Sequence, residues 1–222
     1  MSRLPTLFFG ILAVFATSWL GLVVYPYVQL GRLRPERSAT TGALTPAPLT
    51  SSAVAGERVF AANGCVYCHS QQVRAAWLST DIEKGWGPRQ TVARDYLNER
   101  PSFLGTMRTG PDLSNIAVRQ PNVRWHFEHL YEPGVVSPGS IMPSFRFLFV
   151  ERPVGATPSP DAVAVRGPHK PRAGYEIVPT QAARDLVAYL LSLDRTQPLP
   201  EADGTDGAKR TDGPNAAKEA KP

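Results

Sequence analysis

Cys65-Val-Tyr-Cys68-His69 is the stretch whose residue types and spacing could do chemistry. C-x-x-C-H lets two thiols add across the vinyl groups of a haem and sets the adjacent imidazole beneath the iron. The motif implies one covalently bound haem c, with Cys65 and Cys68 as thioether sites and His69 as proximal ligand. Other chemistries also use cysteine pairs. A thioredoxin-like redox pair belongs on a βαβ pattern, whereas a helical Ala/Val/Phe stretch precedes this one. Structural zinc needs two further good ligands, but Cys65 and Cys68 are the only cysteines, and the histidines are His69, His126, His129 and His169.

An electron-transfer haem needs a second axial ligand, and Met142 in Ser140-Ile-Met-Pro-Ser-Phe145 is the leading candidate. A neutral, soft thioether favours ferrous iron, and Pro143 would stiffen the loop that presents it. Met1 belongs to the apolar amino-terminal stretch, which leaves Met107, with His126 and His129 behind it, as the competitor. Metal-bound imidazole normally donates its second N–H to a fixed acceptor. The carbonyl of Pro111, in Arg108-Thr-Gly-Pro-Asp-Leu113, is the candidate acceptor for His69. Arg74, Trp86, Arg89 and Arg108 are candidates to bind the haem propionates. His126 and His129, beside Trp125 and Phe127, read as packing or surface residues.

These groups must be positioned by a chain of 222 residues, 42% hydrophobic, which is enough for one core once a membrane segment and tails are subtracted. No charged residue lies between Leu4 and Gly31. The 25 residues from Leu4 to Val28 would span about 37 Å as a helix, against a hydrocarbon core of ~30 Å. A cleaved signal peptide would have a shorter apolar region ending in a small-x-small site, so residues 4–30 read as a retained transmembrane anchor, with Tyr25 and Tyr27 at the interface. Arg32, Arg34 and Arg37 follow the helix, which by the positive-inside rule draws the large domain to the cytoplasm. Haem attachment in bacteria is completed outside the cytoplasmic membrane, and this sets the expectation of a periplasmic haem domain. The net charge of +5 is not gathered into a nucleic-acid patch, so no nucleic-acid partner is expected.

Residues 31–53 read as a flexible tether and 54–194 as the domain, all-α, with helices expected at 54–62, 123–130 and 181–193. Leu186, Val187, Leu190 and Leu193 form the apolar stripe of the last of these. The proline-rich stretch 153–172 reads as a surface excursion, and 195–222 as a disordered tail.

Taken together, the sequence resembles the mono-haem subunit II of cbb3-type cytochrome c oxidases. The resemblance rests on Asn63-Gly-Cys-Val-Tyr-Cys-His-Ser-Gln-Gln-Val-Arg74, Gly85-Trp-Gly-Pro-Arg-Gln-Thr-Val-Ala-Arg-Asp-Tyr-Leu97, Arg108-Thr-Gly-Pro-Asp-Leu113, Trp125-His-Phe-Glu-His-Leu-Tyr131 and Pro138-Gly-Ser-Ile-Met-Pro-Ser-Phe145. It covers the anchor and residues 55–194. Ser-Gln-Gln-Val-Arg after the haem histidine is far more specific than C-x-x-C-H. The resemblance implies a class I cytochrome c domain on one transmembrane helix of the bacterial inner membrane, with His69 and Met142 as axial ligands. It also implies a non-catalytic subunit that takes electrons from a di-haem cytochrome c subunit or a soluble cytochrome c. These pass to a haem-copper catalytic subunit. Met107, the proline-rich excursion and the polar tail depart from the family pattern. The alternatives are the haem-c subunit of a nitric oxide reductase, a free-standing anchored cytochrome c, a haem sensor or peroxidase with an open iron position, and a non-haem thiol oxidoreductase.

Overall fold

The computed structural model of the protein describes residues 3–38, 42–165 and 167–203. They fall into two compact units, one formed by the chain up to Ala47 with Ala93–Leu97, the other by Pro48–Val92 and the chain from Asn98 onward.

The first unit is dominated by α1, Leu4–Leu30, a helix long and apolar enough to cross a membrane, with none of its apolar span buried. Pro5 sits in its first turn, where a missing N–H costs nothing. Pro26 lies further along the same helix, which passes through a π-helical turn over Leu20–Val24, a widening of the kind that accommodates a residue unable to donate. The stretch read as a tether is not structureless. Glu36–Arg37 (β1) pairs antiparallel with Leu44–Thr45 (β2), and the Arg94 guanidinium lies 3.8 Å from the Glu36 carboxylate.

In the second unit, α2 (Ser51–Ala62) packs against α6 (Gln181–Leu190). Thr50 and Thr180 cap them through the amides of Ala53 and Ala183. The sequence places the first helix at 54–62, but Thr50 starts it three residues earlier and Ala53 is buried. Its packed face is Ala53, Gly56 and Phe60, of which the small Ala53 and Gly56 let two backbones meet. A Cβ on Gly56 would lie 1.8 Å from the Asp185 carbonyl oxygen, so the helices cross there at backbone distance. Leu186, Val187, Leu190 and Leu193 are buried as their spacing predicts, and Tyr189 joins them.

The short helices α3 (Ile116–Arg119), α4 (Val123–Tyr131) and α5 (Pro133–Val136) close the other side of the core, with Ile116, Phe127 and Leu130 facing in. The domain is not purely helical. Phe149–Pro153 (β3) pairs antiparallel with Tyr175–Pro179 (β4), Phe149 opposite Pro179 and Pro153 opposite Tyr175. The proline-rich excursion is the connection between these strands. It is not all surface, since Val163 is buried and its N–H bonds the Ile177 carbonyl at 2.8 Å.

The stretch after residue 194 also departs from expectation. Arg195, Leu199 and Ala202 are buried, and Pro200–Asp203 forms a last turn, α7. Leu199 and Ala202 supply the apolar anchors that composition over the whole tail had diluted. Residues 204–222 lie outside the described residues.

Candidate functional site

α2 ends at Ala62, and Gly64 turns the chain in the left-handed region (φ +67°), which only glycine enters without strain. A 3-10 turn, Cys65–Tyr67, follows at once. The Cys65 carbonyl accepts from the amides of both Cys68 (3.1 Å) and His69 (3.0 Å), so the two cysteines and the histidine ride on one tight turn. Both cysteines are free thiols; Cys65 packs against the core and burial pushes its thiol up to about 11, whereas Cys68 is exposed.

The His69 ring is fixed from a loop forty residues away. Its Nδ1 lies 2.8 Å from the Pro111 carbonyl oxygen, so Nδ1–H donates and Nε2 keeps its lone pair. Burial lowers the imidazole pKa, against the pull of the Pro111 carbonyl and of Asp112. Gly110 lets this loop approach, since a Cβ there would meet ring atoms at 2.3–2.8 Å. The Gly110 amide bonds the Cys68 carbonyl at 2.9 Å, and the Leu113 amide bonds the Ser70 carbonyl at 2.8 Å. The haem-motif loop and the 110–114 loop are thus zipped together on both sides of the ring.

Cys68, His69 and Pro111 border a cavity of about 570 Å³, within the range of ligand pockets. Ile116 and Trp125 give it apolar walls, and the loop from Ser137 to Pro143 closes it with Met142. The structure therefore brings Met142 to the same space as His69. Met107 is 55% exposed and is not on this wall.

The four residues expected at the propionates do not line the cavity. Arg108 donates to Ser70 Oγ (3.0 Å), the Gln72 carbonyl and Asp81, and its guanidinium lies 5.1 Å over the Trp86 ring. The Arg74 amide donates to Asp81 at 2.9 Å, and its side chain is 3.9 Å away from that carboxylate. Arg89 bonds the carbonyls of Gln197 and Gln90. Arg74, Trp86 and Arg108 are thus tied into a clamp around Asp81, and Arg89 secures the segment after residue 194.

Arg119, which sequence reasoning passed over, and His129, which it read as a packing or surface residue behind Met107, stand on the cavity instead. Arg119, at the end of α3, donates to the Asp112 carbonyl, while its Nε is buried without a partner. His129 stacks on Trp125, ring centroids 4.5 Å apart, and its Nδ1 is also buried and unpartnered. Burial and the neighbouring imidazoles push its pKa down to about 4, so it is neutral. Its neighbour His126 is a packing residue, bonded to the Gln120 carbonyl at 2.8 Å. No local signal marks Arg119. For His129 the spacing to Trp125 is visible, but the cavity is made by a loop that the spacing does not specify.

The wall chemistry fits a flat, largely apolar group with a metal at its centre and anionic edges. Among the described residues no group of three or more His, Cys, Asp or Glu side chains could hold a metal ion by itself. A bare ion would have no ligand set, whereas an iron already held by a porphyrin needs only axial groups. Buried donors without partners are what an anionic edge would satisfy.

The family model described as cytochrome C oxidase, mono-heme subunit/FixO matches residues 5–166. That span includes α1 from its second residue, the C-x-x-C-H turn and every cavity residue named above. No curated protein matches the chain.

Proposed function

Because the chain belongs to the family of mono-haem subunits of cytochrome c oxidase, we propose that it is the membrane-anchored electron-transfer subunit of a cbb3-type oxidase. In this reading one haem c is joined to Cys65 and Cys68, with His69 and Met142 as axial ligands. Electrons arrive from a di-haem cytochrome c subunit or a soluble cytochrome c and leave to the haem-copper catalytic subunit. α1 lies in the inner membrane, and the haem domain faces the periplasm.

The single observation that carries the reading is the convergence of Cys68, His69 and Met142 on one cavity, with the imidazole already oriented by Pro111. When bound, the haem supplies a one-electron couple whose potential depends on its axial ligands and surroundings. The chain's own groups do the rest. The Pro111 carbonyl fixes the tautomer that leaves the His69 Nε2 lone pair for a metal. The Met142 thioether, neutral and soft, would hold the potential of a bound haem above that of a bis-histidine site. Arg119 Nε supplies a buried donor for a carboxylate. Ile116 and Trp125 keep water from the faces.

The test is a haem-linked peroxidase stain on denaturing gels of the purified full-length protein. Wild type stains and Cys65→Ser/Cys68→Ser does not; an unstained wild type refutes the reading. One observation favours a second reading of the sixth ligand, because His129 shares the cavity and carries an unpartnered ring nitrogen. Met142→Ala lowers the reduction potential and lets the ferrous protein bind carbon monoxide, while His129→Phe leaves the iron closed. The reverse pattern assigns the ligand to His129.

A further inference from the structure

The carboxylate of Asp112 is wholly buried, and Asp112 is not among the residues that line the cavity. Oδ2 accepts from Ser70 Oγ at 2.6 Å and from the Gln72 amide at 2.8 Å, and Oδ1 accepts from the Ser114 amide at 2.8 Å. All three partners donate, which is the arrangement that stabilises an ionised carboxylate in a dry site. Two of the donors belong to Ser70 and Gln72, one and three residues after His69. The carboxylate itself belongs to the residue after Pro111, whose carbonyl holds the ring. Ser70 Oγ also accepts from Arg108, and Arg108 in turn pairs with Asp81. A line of alternating charge therefore ends one residue away from the imidazole.

Taking the haem reading above as its premise, we propose that Asp112 is a positioning residue that also sets the reduction potential. Its carboxylate locks the two loops that orient His69, and its buried negative charge favours the ferric state. A hydrogen-bond clamp alone could be built from neutral groups. A buried charge costs desolvation unless it is compensated, so its use here has an electrostatic consequence.

Two variants of the full-length holoprotein separate charge from clamp. Asp112→Asn keeps the side-chain shape, removes the charge and turns one accepting oxygen into an NH2 that faces a donor, so it loosens the clamp as Ser70→Ala does and alone removes the charge; the midpoint potential rises by at least a tenfold change in the reduction constant, about 59 mV for one electron. Ser70→Ala removes one donor of the clamp and keeps the charge; the potential stays or falls. A merely structural role moves both variants in the same direction, and that result overturns the proposal, as does an unmoved potential in Asp112→Asn. Should Asp112→Asn fail to accumulate with haem, Ser70→Ala decides alone, a rise in its potential being the overturning result. A wild-type chain without covalent haem refutes the premise itself. A haem-loaded chain indifferent to the charge refutes only this inference.

Discussion

Gly110→Ala concentrates the geometry of the site in one methyl group. A Cβ at this position would lie 2.3 Å from His69 Cε1, 2.7 Å from Nδ1 and 2.8 Å from Nε2. Ordinary van der Waals contact begins near 3.4 Å, so the ring and the Gly110 backbone must separate by about 1 Å. Neither side yields easily. The Gly110 amide is bonded to Cys68, and the ring is bonded to Pro111. Overpacking costs about 1–3 kcal/mol, and loss of the imidazole hydrogen bond adds about 1 kcal/mol. For a chain of this size a total of about 2–4 kcal/mol lowers the melting temperature by roughly 5–15 °C. Thermal unfolding of the detergent-solubilised protein, followed by circular dichroism, measures it. Gly134→Ala is the internal control, because nothing lies within 4 Å of the Cβ it would add. Equal melting temperatures for the two variants, with unchanged absorption of the reduced protein, would refute the reasoning.

Gly56→Ala forces α2 and α6 apart at their crossing, where the new Cβ would sit 1.8 Å from a carbonyl oxygen; it lowers the melting temperature at least as much as Gly110→Ala but leaves the ligation spectrum of any folded fraction intact. Arg195→Ala strands Glu99, whose side chain is only 8% exposed beside a 4% exposed Arg195, and costs about 3–5 kcal/mol in a denaturant titration. Met107→Ala, on an exposed side chain away from the cavity, leaves the reduction potential within error of wild type; a fall would move the sixth ligand there. Burial raises the Asp81 carboxyl, but Arg108, the Arg74 amide and Ser79 outweigh it and hold the group below the usual carboxylate range. Its folded pKa is therefore depressed, and the stability it contributes is present above the ordinary Asp value near ~4 and lost as pH falls through the folded value. Asp81→Asn flattens that acid limb of an unfolding-versus-pH curve; an unchanged limb rules Asp81 out as its source.

The parts of the site legible in the sequence are those that covalent geometry or a local turn enforces. C-x-x-C-H needs its spacing because two thiols and one ring must meet a single flat group. The acceptor for His69 follows from what a metal-bound imidazole requires, and the structure has a 2.8 Å hydrogen bond to the Pro111 carbonyl. The helix expected at 181–193 and its buried stripe follow from periodicity and from the Thr180 cap, although the helix itself ends at Leu190. What escaped depends on partners distant in sequence. Arg74 and Arg108 look like free cations until Asp81, in an unremarked turn, is seen to claim them. Arg119 becomes a cavity residue only because the loop at 137–143 closes over it. Leu199 and Ala202 read as part of a polar tail because composition averages over residues that behave differently. The start of α2 lies before the expected 54–62 because Ala53 belongs to the small-residue face that the helix crossing buries.

Arg195 also reaches back to the start of the domain. Its guanidinium donates to the Gln71 carbonyl at 2.6 Å, and its amide donates to Asn115 Oδ1 at 2.7 Å. The loop that begins with the two thiols thus acquires its last fastening from a residue 124 positions downstream. During synthesis the thiols emerge long before that fastening exists. Until then the loop lacks the hydrogen bonds that Arg195 gives to Gln71. Once the downstream segment docks, the same loop is locked.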